Sequence, residues 1–226
     1  MFKKLFCRLK IKKYSLVIVL VFLALLILCL HIWLIPSVFG NYNDTCYLDE
    51  DGKNSLHFIL STLIKSFEKY NVFYWLDYGT LLGALRHGDI ISWDHDGDIS
   101  ILLNDSNLEN ALTEIRSHGV EANSMVAQFN GFHVDIVRWN KYKNNNGEWI
   151  LEKYYPPWNQ DNSIVKLHRK FESFSFSLVE KRKHILFINQ TSSVPLDSEK
   201  LIKFRYPWTW RVSFPYKWKC WFSWFK

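Results

Sequence analysis

The segment from Trp75 to Leu103 constrains the fold most, because strand-like and helix-like patterns alternate in it over short distances. The run VFYWLDY, residues 72–78, has the β-branched and aromatic character of a strand and ends at Gly79. TLLGALRHG then predicts a short helix, and ISWDHDGDISILL, residues 91–103, predicts a second strand. This succession predicts α/β packing, in which helices lie against a sheet.

Apolar spacing predicts two longer amphipathic helices. The first covers about residues 55 to 70, with Asn54 or Ser55 as its N-cap. Its apolar positions are Leu56, Ile59, Leu60, Leu63, Ile64 and Phe67. The second covers Asn107 to Ser117. Its apolar positions are Leu108, Ala111, Leu112 and Ile115.

Asparagine-glycine pairs predict hairpin turns in the second half of the chain. Asn130-Gly131 lies between SMVAQF and FHVDIVRW, and Asn146-Gly147 lies within WNKYKNNNGEWILEK. FESFSFSLV alternates apolar and polar residues as a strand does, and HILFI and the following VPL are also strand-like. The tryptophan-rich residues 204–226 have no pattern that assigns a structure.

An apolar run from Leu16 to Leu30 dominates the N-terminal region. Extended over residues 14–35, it supplies about 20 residues, enough to cross a hydrocarbon core of roughly 30 Å, and it predicts a transmembrane signal anchor. A cleaved signal peptide is the alternative, although no small-residue cleavage site is evident before Pro36. The predicted organisation is a cytosolic tail, the anchor, a stem and a lumenal catalytic domain, over residues 1–13, 14–35, 36–52 and 53–226.

Basic residues are concentrated in front of that run. Residues 1–13 contain six lysines and arginines and no acid, which accounts for the whole formal net charge of +6. The positive-inside rule places this tail in the cytosol, which predicts a single-pass type II protein of the Golgi or endoplasmic reticulum membrane with its catalytic domain in the lumen. Because the basic excess is explained by topology, no nucleic-acid partner is expected.

Several residues beyond the run suit an oxidising lumen. Asn43, Asn104 and Asn189 begin N-x-[ST] sequons, which predicts N-glycosylation. Cys46 and Cys220 are the two cysteines on the predicted lumenal side, where a single disulfide is plausible and two free buried thiols are the alternative.

Three aspartates recur at every second position near the start of the second predicted strand. Asp94, Asp96 and Asp98 would share one face, where like charges repel unless a cation lies among them or some carboxyls stay protonated. Mg²⁺ held by one or two carboxylates together with substrate phosphates would resolve this conflict. An exposed Asp-Gly turn is the alternative, whereas an EF-hand is excluded because Ile99 stands where that loop needs glycine.

A further acid lies in the middle of the strand-like FHVDIVRW. Asp135 there would cost several kcal/mol if it were buried without a partner. A strand next to the first aspartates could bring it to the same cation. Pairing with His133 or Arg138 is the alternative.

The wording LDYGTLLGALRHGDIISWDHDGDIS closely resembles the signature of the LicD family, whose animal members include fukutin and fukutin-related protein. That signature is of the type L-x-x-G-[ST]-L-L-G-x-x-R-x-G-x-[IF]-I-P-W-D-x-D-x-D. The match runs from Trp75 to Ile101 and resumes weakly from His133 to Val137, while Ser92 replaces the usual proline. The resemblance implies a nucleotidyltransferase-like fold of the α+β class, in which helices flank a mixed sheet.

The resemblance also implies roles for individual residues. Gly79 and Thr80 become a donor-phosphate contact at a helix N-terminus, where free backbone N–H groups favour anions. Arg86 becomes a neutralising charge for the diphosphate, with an ordinary surface salt bridge as the alternative.

The acids become the catalytic and metal-binding set. Asp96 and Asp98 are then ligands of Mg²⁺ or Mn²⁺, and Asp94 is a ligand or a support for one. Asp135 is the third acid, either a ligand or a base toward the acceptor hydroxyl.

The function implied by the resemblance is metal-dependent transfer of a phospho-alcohol from a CDP-activated donor to a hydroxyl of a glycan or glycoprotein. Phosphocholine, ribitol phosphate and glycerol phosphate are the candidate groups. A catalytically silent relative that binds a glycan or a partner transferase is one alternative. A nucleotidyltransferase that makes an activated sugar from a nucleoside triphosphate is another.

Overall fold

A computed structural model describes residues 2–30, 45–160, 162–215 and 220. The chain divides into one unit of residues 1–46 with 214–226 and a second unit of residues 47–213. The first unit contains helix α1 (Phe2–Cys29) and a disulfide between Cys46 and Cys220, whose Cα atoms are 5.4 Å apart. Of the two states that the sequence left open for these cysteines, the structure has the bonded one.

The predicted transmembrane helix requires correction. Among the residues that the structure describes, no helix is both long enough and apolar enough to cross a membrane. Within α1 the uninterrupted apolar part begins at Leu16 and ends at Cys29, so at about 1.5 Å per residue it covers roughly 20 Å of a core about 30 Å thick. Residues 31–35, where the predicted span continued, lie outside the described residues.

The second unit combines helices with a mixed sheet. Its helices are α2 (Glu50–Lys69), α3 (Tyr78–His87), α4 (Leu108–Ser117), α5 (Ser163–Glu172), α6 (Ser177–Glu180) and α7 (Ser198–Arg205), with a 3₁₀ turn at Pro157–Asn159. The strands are β1 (Tyr74–Leu76), β2 (Asp96–Leu102), β3 (Glu121–Ala122), β4 (Val126–Phe129), β5 (Phe132–Lys143), β6 (Trp149–Lys153), β7 (Phe174–Ser175), β8 (Arg182–Phe187) and β9 (Gln190–Pro195). The predicted α+β class and mixed sheet are therefore present in this unit.

One parallel pair organises the sheet. Strand β2 runs parallel to β5, while β1 joins β2, and β4 and β6 join β5, in antiparallel pairs. β3 and β7 extend the sheet beyond β4 and β6, and β8 and β9 form a separate hairpin. The β4–β5 and β5–β6 turns lie at the two predicted asparagine-glycine pairs, which supply the positive backbone φ angles that such turns need.

Helix α2 supplies much of the core beneath the sheet. All six of its predicted apolar positions are at most 1% exposed, and the four predicted for α4 are buried as well. Helix α2 begins at Glu50, inside the predicted stem, because Asp49 rather than Asn54 or Ser55 is its N-cap. The Asp49 carboxylate accepts a hydrogen bond from the Gly52 amide at 2.8 Å.

The predicted strand in FESFSFSLV is mostly wrong. Only Phe174 and Ser175 pair with β6, and helix α6 follows from Ser177. Phe174, Phe176 and Val179 are nevertheless all buried, so the apolar positions reach the core through a short strand and a helical turn instead of one extended strand.

Two of the three sequons can be placed. Asn104 and Asn189 are both exposed and lie in turns, and Asn43 lies outside the described residues. Glycosylation of these residues stays a prediction.

Candidate functional site

The parallel pairing of β2 with β5 brings the acids of two distant segments together. The register places Asp98 beside Asp135 and Asp96 beside His133. Paired residues on neighbouring strands point to the same face of a sheet, as do residues two apart on one strand. Asp96, Asp98 and Asp135 therefore lie on one face, with Asp98 partly buried and Asp135 the more exposed.

The charges at this face are unbalanced. Burial raises the pKa of Asp98 well above its ordinary range, and the negative charges of Asp96, Asp94, Asp135 and Asp77 raise it further. Burial also raises the pKa of Asp135, and Asp96 adds to this, while His133 and Lys153 oppose it. The repulsion expected from the sequence thus involves a larger group of acids than the three aspartates of the predicted strand.

Asp94 differs from the other two aspartates because it precedes the strand. Its amide donates to the carbonyl oxygen of Ile91 at 2.9 Å in a turn, and β2 begins only at Asp96. A Cβ atom added at Gly79 would lie 2.1 Å from the Asp94 Oδ2 atom. The carboxylate of Asp94 therefore packs directly against the first turn of α3, and glycine at position 79 makes this approach possible.

Thr80 connects the same helix turn to the strand. Its hydroxyl oxygen accepts a hydrogen bond from the Asp98 amide at 2.8 Å, and its side chain is buried. Gly79 and Thr80 thus fix the positions of Asp94 and Asp98 relative to the start of α3. Their contact with a donor phosphate stays a prediction.

Arg86 lies near the end of α3 and reaches the segment that follows α7. Its Nη2 atom donates to the carbonyl oxygens of Thr209, Trp210 and Val212 at 3.2, 2.9 and 3.0 Å. These partners in the structure are backbone carbonyls rather than an acidic side chain. The role of Arg86 toward a diphosphate stays a prediction.

Sequence reasoning assigned no role to Asp77, which is fully buried directly before α3. Its two carboxylate oxygens accept hydrogen bonds from Arg205 Nε at 3.2 Å and from Nη2 at 2.9 Å. The Trp75 indole and the Ser100 hydroxyl also donate to it. The only signal in the sequence was an acid inside the apolar run YWLDY, whereas Arg205 came from the stretch that had no assignable pattern.

A small cavity lies beside Asp135. It has a volume of about 160 Å³, and Lys153, Tyr154 and Tyr155 contribute to its walls. Tyr206 also lies close to the acids, since burial and the charges of Asp98 and Asp94 raise the pKa of its phenol. The carboxylates are therefore bordered by a basic side chain and by hydroxyl groups.

The acids at this face meet part of the coordination that a divalent cation requires. Within the described part of the chain, no three His, Cys, Asp or Glu side chains are grouped so as to hold a metal by themselves. Mg²⁺ commonly takes only one or two carboxylates from a protein and completes its shell with substrate phosphates and water. Asp98 with Asp96 or Asp135 fits that smaller requirement, since their mutual repulsion favours a cation between them.

The sequence of this chain matches a known protein family and several known proteins. A family described as LicD/FKTN/FKRP, nucleotidyltransferase domain, matches residues 71–197. The mouse protein named ribitol 5-phosphate transferase FKRP is 41% identical over 96 residues, which are 39% of this chain and 18% of that protein. Its human counterpart is 50% identical over 60 residues, which are 26% of this chain and 11% of that protein.

A more distant relative is bacterial. An uncharacterised protein of Rickettsia typhi is 27% identical over 118 residues, which are 51% of this chain and 38% of that protein. The chain thus matches less than a fifth of either transferase and well under half of the bacterial protein. Since the family match covers more than half of the sequence and contains the two strands that carry the acids, this chain belongs to the LicD family of nucleotidyltransferase domains.

Proposed function

We propose that this protein transfers a phospho-alcohol of the ribitol phosphate class from a CDP-activated donor to a hydroxyl group of a glycan, with a divalent cation as cofactor. The observation that carries the proposal is the placement of Asp98 beside Asp135 on neighbouring parallel strands, next to the first turn of α3. The similarity to two proteins named ribitol 5-phosphate transferase supports this phospho-alcohol over the other candidates.

The acids divide into two roles under this proposal. Asp96 and Asp98 would hold Mg²⁺ or Mn²⁺. When bound, the cation would neutralise the diphosphate of the donor and stabilise the departing CMP. Asp94 packs against Gly79 and supports these ligands from the helix side.

Asp135 would serve the acceptor under this proposal. It is the more exposed acid of the pair and borders the cavity that Lys153 and Tyr155 help to form. The acceptor oxygen attacks the phosphorus that bears the alcohol, and its proton passes to the Asp135 carboxylate. The bond from that phosphorus to the oxygen of CMP breaks, and CMP leaves with the electron pair.

The first experiment measures CMP release. CDP-ribitol, CDP-glycerol and CDP-choline are each incubated with the chain and a pooled glycoprotein fraction, with Mg²⁺, with Mn²⁺ or with EDTA. We expect release from CDP-ribitol above the other donors, abolished by EDTA and by Asp96→Asn. Asp197→Asn is the matched control, because Asp197 is exposed and forms an ion pair with Lys200 on the surface, away from the acids of β2 and β5.

Two results would contradict the proposal. Binding of glycan without release from any donor would identify a catalytically silent relative. Consumption of a nucleoside triphosphate with release of pyrophosphate would identify a nucleotidyltransferase that makes an activated sugar.

A further inference from the structure

Arg205 is bound on several sides although it lies near the end of the described chain. Its side chain is 2% exposed, and its guanidinium meets both carboxylate oxygens of Asp77 through two different nitrogens. The third nitrogen donates to Glu172 at 2.9 Å. The guanidinium also lies 4.1 Å from the ring centroid of Tyr78 and 4.9 Å from that of Trp139. This fork-shaped contact is a property of arginine that lysine cannot reproduce.

Asp77 in turn contacts both elements of the proposed site. Its carboxylate accepts from the Tyr78 amide at 2.9 Å and so caps helix α3, directly before Gly79 and Thr80. Its own amide donates to the carbonyl oxygen of Asp98 at 3.3 Å. The position of Asp77 therefore determines how the first turn of α3 meets the strand that carries the acids.

Glu172 completes the group from helix α5. The Tyr78 hydroxyl donates to the same Glu172 oxygen that accepts from Arg205. Tyr78 has a positive backbone φ angle of 43°. A bulky residue adopts this conformation only when surrounding contacts hold it there. The cluster of Asp77, Tyr78, Glu172 and Arg205 thus holds an unfavourable backbone conformation at the residue that begins α3.

Stability alone does not explain such a cluster. Removing two charges from water costs about as much as their attraction returns, so apolar residues of similar volume often stabilise a core equally well. A fork-shaped ion pair does impose one relative orientation on the elements that it joins. The cluster joins α3, α5 and α7 at the point where α3 meets β2.

We propose that Arg205 is a positioning residue of this enzyme: through Asp77 it holds the Gly79-Thr80 turn in register with Asp94 and Asp98. The functional unit then extends beyond residues 71–197, which the family match covers, to the end of α7. The kinetic part of this inference rests on the proposed transferase function, whereas its structural part does not.

The test compares two conservative variants of the full chain. Arg205→Lys keeps the charge but loses the fork. Arg182→Lys is the control, because Arg182 also donates to a neighbour, the Tyr74 carbonyl at 3.0 Å, and lies over an aromatic ring, that of Phe73 at 3.7 Å, without contacting Asp77. Hydrogen exchange is measured in both for the amides of Asp77, Leu81 and Asp98, which are hydrogen-bonded where α3 meets β2, together with the kcat and KM for CDP-ribitol.

Arg205→Lys should speed exchange at these three amides, while Arg182→Lys should leave them unchanged. Arg205→Lys should also lower kcat by about 10- to 100-fold and change KM less than about threefold, because misplaced groups reduce turnover more than donor binding. Arg205→Met with added guanidinium should recover part of the lost kcat. That recovery would not follow from a role in stability alone.

The outcomes separate this inference from the proposed function. Unchanged exchange at Asp77, Leu81 and Asp98 in Arg205→Lys would overturn the positioning role even if the wild type is an active transferase. Faster exchange in Arg205→Lys, but not in Arg182→Lys, would support the positioning role even if no CDP donor is consumed. Only the proposed function would then have failed. Unaltered kcat with a lower melting temperature would reduce Arg205 to a stabilising residue.

Discussion

Asp77 and Asp98 are two acids on adjoining segments, and their surroundings are opposite. Asp77 is fully buried, but Arg205 meets both of its oxygens and Trp75 and Ser100 donate to it as well. Asp98 is less buried, yet its strongest charged neighbours are other acids. The protein therefore supplies a counter-charge to Asp77. The excess negative charge around Asp98 would instead be balanced by a bound cation.

This difference separates the structural acid from the reactive ones. A buried charge that already has a counter-charge within the fold adds little affinity for a ligand. A charge that is left unbalanced reduces stability and contributes affinity for a cation. Four predictions test whether the two acids differ in this way.

The largest effect is expected for Asp77→Asn. The substitution leaves Arg205 buried with Glu172 as its remaining partner, and breaking one side of a buried ion pair costs about 3 to 5 kcal/mol. Urea denaturation should show a loss of unfolding free energy in this range. Asp197→Asn should change the same quantity by about 0.5 kcal/mol or less, since Asp197 is exposed. A loss below about 1 kcal/mol for Asp77→Asn would remove the contrast with Asp98.

Asp98→Asn should have the reverse profile. CMP release should fall by about 100-fold or more, because the charge stabilisation that a catalytic cation supplies is several kcal/mol and each 1.36 kcal/mol is tenfold in rate. The melting temperature without metal should stay equal or rise, since one of several repelling charges is gone. If wild-type melting responds to neither Mg²⁺ nor CDP-ribitol, or if the variant keeps full activity, the acids hold no cation.

Gly79→Ala should have an intermediate effect through Asp94. The new methyl group would overlap the Asp94 carboxylate, which must move, and such overpacking typically costs about 1 to 3 kcal/mol. The melting temperature and CMP release should both fall. The double variant Gly79→Ala, Asp94→Ala should recover part of the stability, because the two residues are in direct contact. Simple additivity of the two single variants would show that the helix turn and Asp94 are not coupled.

The sequence predicted the parts of the site that depend on local pattern. The hairpin turns, the buried face of α2 and the Asp96–Asp98 strand follow from alternation, periodicity and turn chemistry within short windows. The third acid, Asp135, could be proposed because an acid inside an apolar strand needs a partner. The register of β2 with β5 was not predictable, since pairing between distant strands depends on the whole sheet.

The parts that failed depend on contacts over long sequence distances. Arg205 is 128 residues from Asp77, and no local feature links the two. The spacing of the aspartates assigned Asp94 to the strand. Asp94 lies instead in the preceding turn, where its carboxylate contacts Gly79. For α1, a hydrophobic count over residues 14–35 predicted a span, whereas no helix among the described residues is both long and apolar enough to cross a membrane.

The smallest effect is expected in the pH dependence of stability, and it follows from the sign of the Asp98 shift. The folded state raises the pKa of Asp98, so the folded state binds this proton more tightly than the unfolded chain. Its contribution to stability is therefore complete below the ordinary pKa of an aspartate, near 3.8, and is lost as the pH rises through the folded pKa. Without metal, the unfolding free energy of the wild type relative to Asp98→Asn should fall across this window.

Mg²⁺ should flatten the decline of Asp98 by binding the ionised carboxylate. The measurement is urea denaturation of the wild type and of Asp98→Asn from pH 4 upward, in EDTA and in Mg²⁺. The unfolding free energy of the variant is subtracted from that of the wild type at each pH. This subtraction cancels the contributions of other titrating groups, such as Asp89, whose pKa is lowered. A difference that rises with pH in EDTA would mean that Asp98 already has its counter-charge within the fold, as Asp77 does.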